Sequence, residues 1–315
     1  MKVVEEYSQL LEIASRTGGG ASALGDKDTV YMVVHANKII DKNILPGVEI
    51  DAVETAEGID AVITVTKGTI IEKPVHMCFG HLGHEGKQVI KSKMVIEDGA
   101  RAEFLAHCIF PNAVEFLHAM EGEIQIGENA SFAYREVHVH GREGKIKVRP
   151  KSKVVVGGNS SYIGDFTLVE GRVGDLDIEI EVEARGAHSH VDIRSKIYGK
   201  YDDICKIKDV ILLNGEGSSA LVKARVVLKD ESKGSFLGLV DGAAAGARGH
   251  VDCTEVVQGR AVAEASPVVR ASHPEAEVTH EAAIGRIADE KIEGLMAKGL
   301  SEEESIEVIV SGLLR

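Results

Sequence analysis

Between about Val48 and Val268 the chain repeats one pattern, a short run rich in Val and Ile followed by a turn. Ala61-Val62-Ile63-Thr64-Val65, Ile124-Gln125-Ile126 and Leu176-Asp177-Ile178-Glu179-Ile180-Glu181-Val182 are such runs. The turns carry Gly, Asn or Asp-Gly, as at Asp98-Gly99, Gly127-Glu128-Asn129, Gly157-Gly158-Asn159 and Asn214-Gly215. Alternation with period two is the signature of strands with one face buried, and these turn residues tolerate the left-handed backbone that tight reversals need. No helix-length periodic run interrupts the pattern for roughly two hundred residues. The chain is therefore read as mainly β.

A turn, a small residue and an alternating strand recur together. Gly99-Ala100-Arg101-Ala102, Glu128-Asn129-Ala130-Ser131, Gly186-Ala187-His188-Ser189 and Gly217-Ser218-Ser219-Ala220 are the members. Their spacing runs from roughly 30 to 55 residues, as though some members held more than one coil. Stacked coils of a β-solenoid produce this rhyme, because each coil buries its apolar side on its neighbours. A sandwich or double-stranded barrel also alternates short strands. Only 4% of residues are aromatic and there is no Trp, which suits a narrow interior packed by ladders of small side chains.

The flanks differ, and the boundaries fall at 1–47, 48–266 and 267–315. The first 17 residues read as an amphipathic helix with Val3, Tyr7, Leu10, Leu11 and Ile13 on one face, stopped by Gly18-Gly19-Gly20. Asp28 to Asn43 is an apolar strand or helix before Pro46. After Pro267, Ala282 to Lys298 reads as a helix with Ile284, Ile287, Ile292, Leu295 and Met296 as its stripe. Ser301 with Glu304 has capping-box spacing and opens a last helix. That helix is more apolar than a solvated one needs to be, so the hairpin is expected to cover the body of the protein or a partner.

The charge of −14, from 36 basic and 50 acidic residues in 315, argues against a nucleic-acid binder and against docking on anionic lipid. No apolar run reaches the ~18 residues of a membrane span. Four cysteines without CxxC spacing suggest reduced thiols and a cytoplasmic chain. The phosphate loop GxxxxGK[ST], GxSxG and HExxH are all missing.

The remaining chemistry lies in Cys and His. Cys253 stands three residues after His250, on opposite faces if the segment is a strand. His280 and Glu281 begin the expected C-terminal helix. Thiolate, imidazole and carboxylate together suit iron, zinc or an iron–sulfur cluster, or a thiolate nucleophile with its base. A buried thiol is equally a packing residue. Cys108 ends an alternating strand, and His138 and His140 share one face of the next, as metal ligands or as a solvated polar face.

These residues resemble the SufB/SufD family of iron–sulfur cluster assembly scaffolds, specifically its compact archaeal SufB-like members. The likeness rests on Cys108-Ile109-Phe110-Pro111 followed by Leu117-His118-Ala119, and on His250-Val251-Asp252-Cys253 followed by Gly259 and Pro267. It rests also on His280-Glu281-Ala282-Ala283-Ile284-Gly285-Arg286-Ile287 with Lys298-Gly299-Leu300 and Glu302-Glu303-Glu304. It covers about residues 75 to 315.

The resemblance implies a right-handed parallel β-helix core with an N-terminal helical segment and a C-terminal helical hairpin that docks a SufC-type ABC ATPase. It implies a transient iron–sulfur cluster on Cys253, with His280 and Glu281 beside it and His250 near, and a sulfur-accepting role for Cys108. SufB has Glu where Thr279 stands, and Gln and Trp along its sulfur path near the positions of His138 and His140. SufD has Gly at the position of Glu281. The expectation is a non-enzymatic scaffold that forms a homodimer through the β-helix ends and passes clusters to apoproteins. A SufD-like structural subunit and a metal-dependent β-helix enzyme are the alternatives.

Overall fold

The computed structural model describes residues 2–16 and 24–314. The Gly18-Gly19-Gly20 stop lies outside the described residues. Helix α1 (Lys2–Arg16) comes first, as expected. Strands β1 (Tyr31–His35) and β2 (Lys38–Asn43) follow, so the stretch before Pro46 is strand. Next come β3 (Val48–Glu54), β4 (Gly58–Val65), β5 (Val75–Gly80), β6 (Glu85–Ile96), β7 (Arg101–Phe110), β8 (Glu115–Ile126), β9 (Ser131–His140) and β10 (Ile146–Val156). The series continues through β11 (Ser161–Glu170), β12 (Gly174–Ala184), β13 (His190–Gly199), β14 (Ile204–Leu213) and β15 (Ser219–Leu228). It ends with β16 (Lys233–Gly242), β17 (Arg248–Val257), β18 (Val262–Ala271) and β19 (Glu277–Gly285), then α2 (Asp289–Met296) and α3 (Glu302–Leu313).

Odd-numbered strands from β5 to β19 form one sheet with β1 and β2, and even-numbered strands from β4 to β18 form the other with β3; from β6 onward each strand is parallel to the one two places before it. That is a β-solenoid, the fold the resemblance implies and one of those the sequence pattern allows. The antiparallel partners β2 and β3 close its N-terminal end.

The coil length is more regular than the sequence spacing suggested. Left-handed turn residues stack at Gly99, Asn129, Asn159, His188, Gly217 and Gly246. Asn129 donates its N–H to the Gly158 carbonyl and Asn159 to that of Ala187, so each turn bonds to the next. Non-Gly residues adopt a positive φ here because Asn tolerates it and the stacked bonds hold it.

Inward positions carry the core, with Phe104 and Phe132 edge to face at 5.1 Å and Phe132 stacked on Tyr162 at 6.3 Å. Helix α1 lies on the outer face of the first sheet. Leu10 and Ala14 pack there with Tyr31, Val33, Cys78 and Ile109, and a side chain at Gly80 would meet Leu10 at 2.4 Å. Cys78 is therefore a packed thiol under this helix.

The C-terminal region departs from the expected helix over Ala282 to Lys298. The chain stays in strand to Gly285, because β19 pairs with β17 residue for residue from Glu277 opposite Arg248 to Gly285 opposite Val256. A ready-made edge outweighs a helical stripe of two isoleucines. Pro267 does not end the solenoid either. It sits in β18, the end strand of its sheet, where a missing N–H costs least. The final helix is capped by Ser301 and Glu304 as expected. With α2 it covers the body: Ile292 of α2 and Val310 and Leu314 of the final helix region pack on Tyr198 and Val227, and the Tyr198 hydroxyl donates to Glu307 at 2.6 Å.

Candidate functional site

Two groups of chemically capable side chains face the solenoid interior. The first centres on Cys108, fully buried on β7. Its register partner on β9 is His138. His118 reaches it from β8 in the opposite sheet, because an inward position on either sheet points to the same interior. Ligand atoms of Cys108, His118 and His138 lie within 4.8 Å of one another. The Cys108 Sγ is also 3.9 Å from the Met120 Sδ.

A polar row runs along β9 at every second residue. His138 meets Glu136 through Nε2 at 2.6 Å and His140 through Nδ1 at 3.2 Å. The His140 Nδ1 is 3.3 Å from the Arg172 carbonyl, which it serves as a donor. The His118 nitrogens have no hydrogen-bond partner, although the residue is fully buried. Burial pushes the Cys108 thiol well up, with the Glu136 charge adding to it. Burial pushes His118 and His140 well down, so both rings are neutral at physiological pH. The thiol is thus inert as a nucleophile until a base or a metal takes its proton.

The second group surrounds Cys253 on β17, five strand steps along the same sheet and so about 24 Å away at ~4.8 Å per step. Its side chain faces inward and is buried. Burial and the neighbouring Glu255 charge push its thiol up to about 11. Glu255, the next inward residue, is pushed up to about 7 by burial, and its Oε2 has no partner.

On β19, His280 stands opposite Val251 and Glu281 opposite Asp252. Alternation therefore puts His280 on the cysteine's face and Glu281 on the other. A helix start would have held the two together; the strand separates them. His250 is on the outer face, where its Nδ1 meets the Thr279 hydroxyl at 2.8 Å. Asp252, also outward, takes two bonds from Arg225 at 2.9 and 2.6 Å.

Of the residues singled out in the sequence, Cys253 and His280 thus share a face in adjacent coils, while His250 and Glu281 face away. Cys108, His138 and His140 belong to a separate group. Three members were not singled out as site residues: His118, Glu136 and Glu255. The two glutamates were legible, since Glu136 precedes His138 by two residues and Glu255 follows Cys253 by two. The contact of His118 with Cys108 depends on how two sheets face each other and has no local signal.

The β-solenoid thus turns thiols, imidazoles and carboxylates into its interior, a donor set that can hold a soft metal ion. Residues 81–313 match the SUF system FeS cluster assembly, SufBD core domain. The chain is 36% identical over 314 residues to an iron–sulfur cluster assembly SufBD family protein of Methanocaldococcus jannaschii, covering 100% of this chain and 99% of that one. It is 35% identical over 311 residues to a SufBD family protein of Pyrococcus horikoshii, covering 99% of this chain and 94% of the relative. A SufBD family protein of Archaeoglobus fulgidus is 27% identical over 78% of this chain and 66% of its own length. The chain belongs to the SufBD family of iron–sulfur cluster assembly proteins. Among the described residues, no helix is long and apolar enough to cross a membrane.

Proposed function

We propose that this chain is the SufB-like scaffold of its system, holding a nascent iron–sulfur cluster on Cys253 and handing it to apoproteins. The reading is carried by one observation: Cys253 and His280 share a face in the last two coils, where the solenoid ends on free strand edges. One thiolate with imidazole and carboxylate binds a cluster less firmly than four thiolates do, which suits a transferable cargo. The carboxylate on the cysteine's own face is Glu255, and it takes the place that the resemblance gives to Glu281.

Two such ends meeting in a homodimer bring two cysteines toward each other across a two-fold axis. Support for that contact is the apolar surface left at this end, with Val262, Val268 and Ile284 exposed. ATP hydrolysis belongs to a separate SufC-type ABC ATPase docked on α2 and α3, where Met296 and Val308 remain exposed. Cys108 is the sulfur acceptor in this scheme. The full burial of Cys253 favours one second reading, a SufD-like structural subunit whose cysteine only packs.

Anaerobic reconstitution with iron and sulfide separates the two. Wild type and Cys253→Ser are compared, each with and without the ATPase, by bound iron, bound sulfide and the visible spectrum. The scaffold reading expects a cluster on wild type, none on Cys253→Ser, and the ATPase bound by both. If both chains take up the same cluster, Cys253 does not hold it. If neither does while the ATPase still binds, the chain is the structural subunit.

A further inference from the structure

We infer that Cys108, His118 and His138 form a buried binding site for one divalent transition-metal ion of borderline softness, zinc or ferrous iron. The site is distinct from the cluster position on Cys253. The three ligand atoms lie within 4.8 Å of one another. A closed tetrahedral set with metal–nitrogen bonds of ~2.0 Å and a metal–sulfur bond of ~2.3 Å has edges of about 3.3 to 3.6 Å, so the side chains draw in by roughly an ångström on binding.

His118 is the second, independent observation. Its ring is fully buried, it packs 4.7 Å from Phe110 and 5.8 Å from His138, and neither nitrogen has a partner. A buried imidazole normally has its nitrogens satisfied, and leaving one bare costs about 1–3 kcal/mol. A metal ion satisfies it.

The surroundings fit the same ion. With Glu136 on the Nε2 of His138 at 2.6 Å, the metal takes Nδ1 in exchange for its 3.2 Å contact with His140, which gives the carboxylate–histidine arrangement that orients metal-bound imidazoles. Charge also balances: a dication, the Cys108 thiolate and the Glu136 carboxylate sum to zero in an interior that tolerates no net charge. One sulfur and two nitrogens select zinc or ferrous iron over magnesium or calcium, which take oxygen. Three protein ligands leave a fourth position open. Metal and transferred sulfur exclude each other on Cys108, since both need its thiolate.

The test uses the full chain, stripped with chelator and titrated anaerobically with cobalt(II), without sulfide. One cobalt per chain is expected, with a thiolate-to-cobalt charge-transfer band and the ligand-field bands of a four-coordinate ion. Cys108→Ser should abolish the charge-transfer band. His118→Asn and Glu136→Gln should each weaken binding by 10- to 100-fold. Cys78→Ser, at the packed thiol under α1, should leave the titration unchanged; Cys253→Ser is the arm that tells this site from the cluster position, since a charge-transfer band that depends on Cys108 alone places the cobalt here.

X-ray absorption on the wild type with one equivalent of zinc needs no variant. A shell with one sulfur at ~2.3 Å and nitrogen at ~2.0 Å is expected. A shell of nitrogen and oxygen alone overturns the assignment, as does a cobalt band that survives Cys108→Ser and disappears in Cys253→Ser.

Discussion

Replacing Asp209 with Asn removes a carboxyl group that the solenoid holds at a measurable cost. Asp209 faces inward on β14, is 1% exposed, and its Oδ1 has no hydrogen-bond partner. Its neighbours in register are Ile180 and Gly238, and neither offers a charge. Burial pushes its pKa from 3.8 up to about 7. Between those values the folded chain keeps a proton that the unfolded chain has lost. Stability therefore falls as pH rises through this window and levels off above pH 7. Three units at ~1.4 kcal/mol each make the full cost about 4 kcal/mol, and the part that develops above pH 5 is about 3 kcal/mol.

Asn keeps the shape and cannot ionise, and its own unmet hydrogen bonds cost the same at every pH. The variant's stability relative to wild type should therefore rise by about 3 kcal/mol from pH 5 to pH 8. Urea unfolding followed by circular dichroism at the two pH values reads this difference. Glu255 shifts in the same direction but is present in both chains, so it cancels. A difference that does not change with pH would refute the reasoning, because it would mean the native carboxylate is already ionised and stabilised.

Two further substitutions probe the stacking of the coils. A β-carbon at Gly186 would sit 2.0 Å from the backbone nitrogen of Gly158 in the coil below, so Gly186→Ala should lower stability by at least ~3 kcal/mol in the same urea assay. Gly294→Ala on α2 meets nothing within 4 Å and should raise helix stability by roughly 0.5–1 kcal/mol, seen as slower amide exchange over α2 and α3. On the outer face of the second sheet, Asp60, Lys91, Glu121, Lys151, Glu179 and Lys208 stand in register with alternating sign. Lys151→Glu puts three carboxylates in line and should cost about 1 kcal/mol at low salt, most of it recovered in ~1 M salt where the Debye length is ~3 Å.

What the sequence made legible follows from which forces are local. The two-residue alternation and the turn residues report burial on one face, so the strands between Val48 and Val268 could be read off directly. Asn129 and Asn159 marked their turns for the same reason. The parity of the interior was legible too: Cys108, His138 and His140 are inward by alternation, and Glu136 belongs to that row without further information. The alternation alone does not specify the solenoid, because a sandwich buries alternate residues as well, and only the pairing of strands two apart distinguishes them.

The errors have one cause. Ile284 and Ile287 are three apart, a spacing that a helix turns to one face and a strand turns to two. Taken alone, the segment from Ala282 favours the helix. In the folded chain β17 presents an unpaired edge at the place where Glu277 to Gly285 arrives, and pairing with it satisfies backbone groups that a helix would satisfy only within itself. That single decision carries Glu281 away from Cys253 and leaves His280 with it. It also makes Glu255, rather than Glu281, the carboxylate on the cysteine's side. A site built across stacked coils is set by register, and register is decided by whichever edge is open when the next segment arrives.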